Sequence, residues 1–116
     1  MFNENDSVVS DYNTLLSVNQ LRVQMDNKTK KALKARAHHL HPVVIVGDKG
    51  LSKAVLKEID VALRAHELIK IKLQSDDRDE RRAMGVDICD KLAAHPIGSI
   101  GKIVVVYREH IEPDSE

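Results

Sequence analysis

Apolar positions recur along the middle of the chain in several patterns, and each pattern implies an element. In "KTKKALKARAHHL" (Lys28 to Leu40), Leu33, Ala37 and Leu40 recur at i, i+4 and i+7, the spacing of one helix face. Lys30, Lys31, Lys34 and His38 fall largely on the other face. Pro42 disfavours helical geometry at His41 and so ends the helix. "PVVIVG" (Pro42 to Gly47) is an unbroken β-branched run, the pattern of a strand covered on both faces. "SKAVLKEIDVALRAH" (Ser52 to His66) returns to helical spacing. Val55, Ile59, Ala62 and Leu63 line its inner face, Lys53, Lys57, Asp60 and Arg64 its outer face, and Ser52 is placed to cap it.

The second half repeats the alternation of element types. "LIKIKL" (Leu68 to Leu73) is a strand with Ile69, Ile71 and Leu73 on one side and Lys70 and Lys72 on the other. "SDDRDERRAMGVDICDKLAAH" (Ser75 to His95) is a third helix with an apolar ridge of Met84, Ile88 and Leu92. Its acids Asp76, Asp77, Asp79 and Glu80 gather at the start, where they complement the helix dipole. "IGSIGKIVVVYR" (Ile97 to Arg108) is two strands joined at Gly101-Lys102. The expected fold is a single α/β domain of order α-β-α-β-α-β-β, with a mixed four-stranded sheet packed with helices. Residues 1–24 have poor periodicity and are expected to be a flexible extension; residues 25–108 form the domain and 109–116 an acidic tail. Met25 stands where the basic region begins, either as an alternative start or as an ordinary residue.

Composition narrows the function classes. The 116 residues are 42% hydrophobic but only 3% aromatic, so the core is aliphatic. No apolar run approaches the ~20 residues of a membrane span, and the chain does not open on a secretory signal. With one cysteine, Cys89, there is no intrachain disulfide, and a cytoplasmic location is expected. The formal net charge of zero conceals a division. Asp26 to Arg108 holds 17 Lys and Arg against 11 Asp and Glu, a balance of +6, between two acidic ends. A basic centre suggests a polyanionic partner, although ordinary solvated surfaces also reach such a balance. Lys28 to Arg36 carries five Lys or Arg and no acid, where a merely solvated helix would mix signs.

The sharpest feature is Gly47-Asp48-Lys49-Gly50, between the first strand and the second helix. A helix N-terminus offers unpaired N–H groups and partial positive charge, and a phosphate can sit there if the backbone comes close. Glycine permits close approach and positive φ. A Gly-x-x-Gly loop that clamps a nucleic-acid backbone is the device of the KH module; the plain alternative is a turn that needs two glycines. The P-loop pattern and the dinucleotide fingerprint are both absent. After Met25 the only aromatic residue is Tyr107, so nucleic-acid binding would have to work through the backbone rather than by stacking. His38 and His41 lack the companion spacing of a metal site, Cys89 falls on the inner side of its helix, and no nucleophile–base pair is seen. No catalytic residue, metal or cofactor is expected.

Together, "LKARAHHLHPVVIVGDKGLSKAVLKEIDVALRAHELIKIKL", "DDRDERR" and "IGKIVVVYR" resemble the YhbY-like proteins, bacterial stand-alone CRM (chloroplast RNA splicing and ribosome maturation) domains. The resemblance spans about Asp26 to Arg108. It implies an RNA-binding fold related to the C-terminal domain of translation initiation factor three. It also implies association with precursors of the large ribosomal subunit, and places the family loop on Gly47, Asp48, Lys49 and Gly50. The reading is a non-enzymatic, monomeric RNA-binding protein acting on large-subunit precursor rRNA in the pre-50S particle. Lys30, Lys31 and Lys34 would hold phosphates, with Lys53 and Lys102 extending the patch. Two alternatives remain: a module docking on a ribosomal protein, and a phosphate- or nucleotide-binding enzyme using the same loop.

Overall fold

The computed structural model describes residues 25–110, so the expected extension (1–24) and tail residues 111–116 lie outside the described residues. The elements are α1 (Asn27–Ala37), β1 (Pro42–Val46), α2 (Lys53–His66), β2 (Leu68–Leu73), α3 (Arg78–Leu92), β3 (His95–Ile100) and β4 (Ile103–Tyr107). The strands form one sheet in the order β1-β2-β4-β3. β1 and β2 are parallel, and β4 runs antiparallel to both β2 and β3. The sheet is mixed and four-stranded, as the alternation of element types implies.

Strand pleating divides the core in two. On one face Val44, Val46, Ile69, Ile71, Leu73, Val104 and Val106 pack against Ile59 and Leu63 of α2 and Ile88 and Cys89 of α3. On the other, Leu68, Ile97 and Val105 pack against Leu33 and Ala37 of α1. Ile59, Leu63, Ile71 and Ile88 are completely buried, each contributing about 1.5–3 kcal/mol relative to an exposed side chain.

Three boundaries differ from the sequence expectation. α1 ends at Ala37, not Leu40; the Leu40 amide turns back onto Ala37 O (2.9 Å), and Leu40 is 36% exposed rather than on the inner face. α3 starts at Arg78 because Asp77 is the cap, its carboxylate accepting from the Asp79 and Glu80 amides. Ser75 and Asp76 therefore precede the helix. α3 stops at Leu92 because Ala93 is left-handed (φ 56°), which frees His95 and Pro96 to begin β3. Pro96 is tolerated there because β3 is an edge strand, with a register shift at Pro96/Gly98.

The apolar run of β1 also misleads. β1 is covered on one face only, and Val43 and Ile45 are 46% and 54% exposed. It is the other edge strand, and α1 packs on β2 and β3 rather than over it.

Ala93 yields a stability prediction. A left-handed C-cap favours glycine, which carries no Cβ penalty there. Ala93→Gly should stabilise the domain by about 0.5–1 kcal/mol and raise the melting temperature by a few degrees in thermal denaturation. A lower melting temperature would mean that the Ala93 methyl matters more to packing than the backbone strain it imposes.

Candidate nucleic-acid interface

β1 and α2 are joined by a tight turn and a capped helix start. The Gly50 amide donates to Gly47 O (3.0 Å), and the Ser52 amide to Gly50 O (3.0 Å). The Ser52 hydroxyl then accepts from the Val55 amide (3.2 Å), capping α2 as its sequence position implies. The two glycines serve different ends. Gly50 has φ +71°, which the turn itself demands, and a Cβ there would meet nothing within 4 Å. Its open side faces solvent. Gly47 has no positive φ, and its added Cβ would sit 3.7 Å from Gln74 Oε1, an ordinary contact. Asp48, Lys49 and Lys53 are exposed around the turn.

The ends of β2 and the β3–β4 hairpin converge on the same place. The Gln74 amide donates to Val46 O (3.0 Å), and the Leu73 amide to Lys102 O (2.7 Å). Lys102, remote in sequence, is thereby brought to the loop end of the sheet. It is already engaged: its Nζ donates to Asp76 Oδ1 at 2.7 Å. That hydrogen bond, then the charge of Lys102, holds the Asp76 carboxyl below the usual carboxylate range. Asp76 takes one of the three ammonium donors and offsets the Lys102 charge, which weakens its pull on a phosphate.

The other lysines expected to bind lie on α1. Lys31 is exposed, Lys30 half-buried, and the Lys34 stem crosses Gly98 of β3. A Cβ at Gly98 would lie 2.8 Å from Lys34 Cε, so the missing side chain is what lets Lys34 lie across the strand. The structure thus gathers Gly47, Asp48, Lys49, Gly50, Lys53 and Lys102 at one end of the sheet. Lys30, Lys31 and Lys34 stay on the helix that covers its other half.

Two further basic sets were not singled out from the sequence. Lys70 and Lys72 stand on the α1 side of β2, half-buried; the alternation in "LIKIKL" was the signal for them. Arg78, Arg81 and Arg82 line a groove of about 570 Å³ between α3 and the β3–β4 hairpin, with Lys102 at its rim. Arg81 donates to Ser75 O (2.8 Å). The acids interleaved in the α3 sequence hid this set.

The remaining candidate chemistry is spoken for. Tyr107 packs with the α1 cluster and stacks on His95 at 6.4 Å between ring centroids. Burial first, then Asp90, pushes the Cys89 thiol up to about 11, which keeps it protonated and a poor nucleophile near neutral pH. Among the described residues no group of three or more His, Cys, Asp or Glu could hold a metal ion, and no helix is long and apolar enough to cross a membrane.

Comparison with known proteins places this geometry in context. The model of the CRS1/YhbY (CRM) domain matches residues 25–108. A probable RNA-binding protein of Pseudomonas aeruginosa is 42% identical over 90 residues, 78% of this chain and 86% of the relative. An RNA-binding protein of Haemophilus influenzae is 43% identical over 84 residues, covering 72% and 85%. The solution structure of a hypothetical Staphylococcus aureus protein superposes with a TM-score of 0.69 at 26% identity, covering 78% of this chain and 95% of that one.

Proposed function

Since this chain belongs to the CRS1/YhbY (CRM) domain family, we propose that it is a non-enzymatic RNA-binding protein that holds its ligand through the Gly47–Gly50 turn. The observation that carries the reading is the turn itself. Gly50 presents an open side to solvent at the head of α2, with Lys49 and Lys53 exposed beside it. An RNA phosphate there meets backbone N–H groups and the positive end of the helix dipole. Residues 25–108 are the binding domain in this reading, and 1–24 and 109–116 are appendages to it.

The finer reading is action on large-subunit precursor rRNA, in the cytoplasm, by a monomer. It is supported by the resemblance to YhbY-like proteins. Sedimentation of cell extract tests it: the protein should travel with large-subunit precursors and leave them after RNase treatment. Continued co-sedimentation after RNase would favour docking on a ribosomal protein.

Salt dependence tests the backbone grip. With about four phosphates neutralised, log affinity should fall against log salt with a slope of roughly −3 to −4. Lys31→Ala with Lys34→Ala should weaken binding and make the slope shallower by about one per lost contact. Both side chains are exposed, so the melting temperature should move by no more than a few degrees. A slope unchanged in the double variant would remove α1 from the interface. A flat slope in the parent would remove the phosphate grip altogether.

A further inference from the structure

α1 covers only half of its face of the sheet. Beneath it lie Leu68, Tyr107 and His95, cross-strand neighbours on β2, β4 and β3. At the loop end of the same face another row crosses all four strands. Ile45 pairs with Lys72, Lys72 with Ile103, and Ile103 with Ile100. Among the described residues no element covers this row: Ile45 is 54% exposed and Ile100 79%. Val43 and Lys70 continue the open surface toward α1.

A solvated sheet face is normally polar, so isoleucines on three of the four strands of this row, exposed on both edge strands, call for a ligand. The surrounding charge says which kind. None of the four strands contains an Asp or Glu. Lys70 and Lys72 rise between the aliphatic side chains, and Lys34 reaches over Gly98 from the side. Single-stranded RNA complements this mixture, with negative phosphates and apolar base faces. A second copy would set lysine against lysine, and a duplex hides its base faces. The row is also continuous with the loop: Ile45 is two residues before Gly47, roughly 7 Å along the strand. Its width across four strands is roughly 14 Å, and four-stranded sheets that receive RNA seat two or three bases.

We infer that the open half of the sheet seats unpaired bases. The Gly47–Gly50 turn grips the backbone, two or three bases of a single strand lie on Ile45, Ile103 and Ile100, and Lys70 and Lys72 take flanking phosphates. This inference rests on the RNA-binding reading above and adds the ligand class, single-stranded rather than duplex RNA. Aliphatic side chains replace the aromatic platform that single-strand binders usually use.

The test measures affinity by fluorescence anisotropy for three probes. These are an unstructured adenosine–uridine RNA of about ten nucleotides, the same strand with abasic internal positions, and a duplex of equal length. The parent should prefer the intact strand to the abasic one by about tenfold, a difference of ~1.4 kcal/mol. Ile45→Ser with Ile100→Ser, both at exposed positions, should lose about the same factor on the intact strand and bind the abasic strand and the duplex as the parent does. Circular dichroism checks folding. The inference is overturned if the parent binds the abasic strand as tightly as the intact one, if it prefers the duplex, or if the double variant weakens duplex and single strand alike. It is also overturned if the parent is a dimer that the double variant dissolves, since the face would then join two copies. A folded parent that binds none of the three probes would sink the RNA-binding reading itself, a different failure.

Discussion

Gly50→Asn should weaken RNA binding by about 10- to 100-fold while the domain stays folded. The left-handed backbone of Gly50 (φ +71°) is required by the turn, so most side chains there would strain it. Asparagine tolerates that conformation better than other residues with a side chain, and a Cβ at this position meets nothing within 4 Å of the protein. The turn therefore survives at a cost of about 1 kcal/mol or less. The new side chain projects into the space where an RNA phosphate would approach. Losing one charge-assisted N–H to phosphate hydrogen bond costs about 1.5–3 kcal/mol, hence the expected range. Gly50→Val is the contrast: it should lose stability as well as binding, because a β-branched residue resists positive φ. Affinity measured beside a thermal melt separates the two effects. A folded Asn variant that binds as well as the parent would reduce the loop to a turn and move the grip elsewhere.

Arg108→Ala should destabilise the domain by about 2–3 kcal/mol, lowering the melting temperature by about 10–20 °C. Arg108 follows β4 and joins two helices. Its Nη1 donates to Asp60 Oδ1 of α2 (2.8 Å) and to Leu92 O at the end of α3 (3.0 Å), while Nη2 donates to Asp60 O (3.2 Å). Its side chain is 16% exposed and that of Asp60 27%. Breaking a fully buried pair costs about 3–5 kcal/mol; partial exposure of both partners brings the figure down. Arg64 also reaches Asp60 (3.4 Å) and softens the loss of its partner. Arg108→Lys should recover only a small part, because one ammonium cannot reproduce the planar fork that serves three acceptors. A melting temperature within about 3 °C of the parent would show that α2 and α3 are held by their apolar contacts alone.

Local chemistry was readable from the chain wherever a few adjacent residues settle the matter. The periodicity of Ser52 to His66 identified α2, its inner face and its cap, and those features stand in the structure. Alternation in Leu68 to Leu73 placed three apolar residues on one face and two lysines on the other. The glycines around Asp48-Lys49 announced a tight strand-to-helix turn, and the turn is there. Whether it grips RNA is a matter of partner, not of local conformation.

Failure began where an outcome depends on what is packed alongside. An apolar run such as Pro42 to Val46 can be a central strand or an edge strand, because local pattern reports hydrophobicity and not coverage. Only the strand order β1-β2-β4-β3 and the placement of α1 decide that Val43 and Ile45 face outward. Helix ends slipped too: the start of α3 is set by the Asp77 cap, and at its far end the left-handed Ala93 releases His95 and Pro96 to an edge strand. Lys34 lying across Gly98 of β3 could not be foreseen, because helix periodicity fixes a residue's bearing on α1 but not where α1 lies on the sheet. Lys102 next to Asp76, and Arg108 across from Asp60, are contacts 26 and 48 positions apart. By itself the sequence determined the elements, the inner faces of α2 and β2, and the turn, since each follows from interactions within a few residues. The tertiary structure alone decided which faces stay open and which charges already have partners, because both depend on long-range pairing that no local pattern encodes.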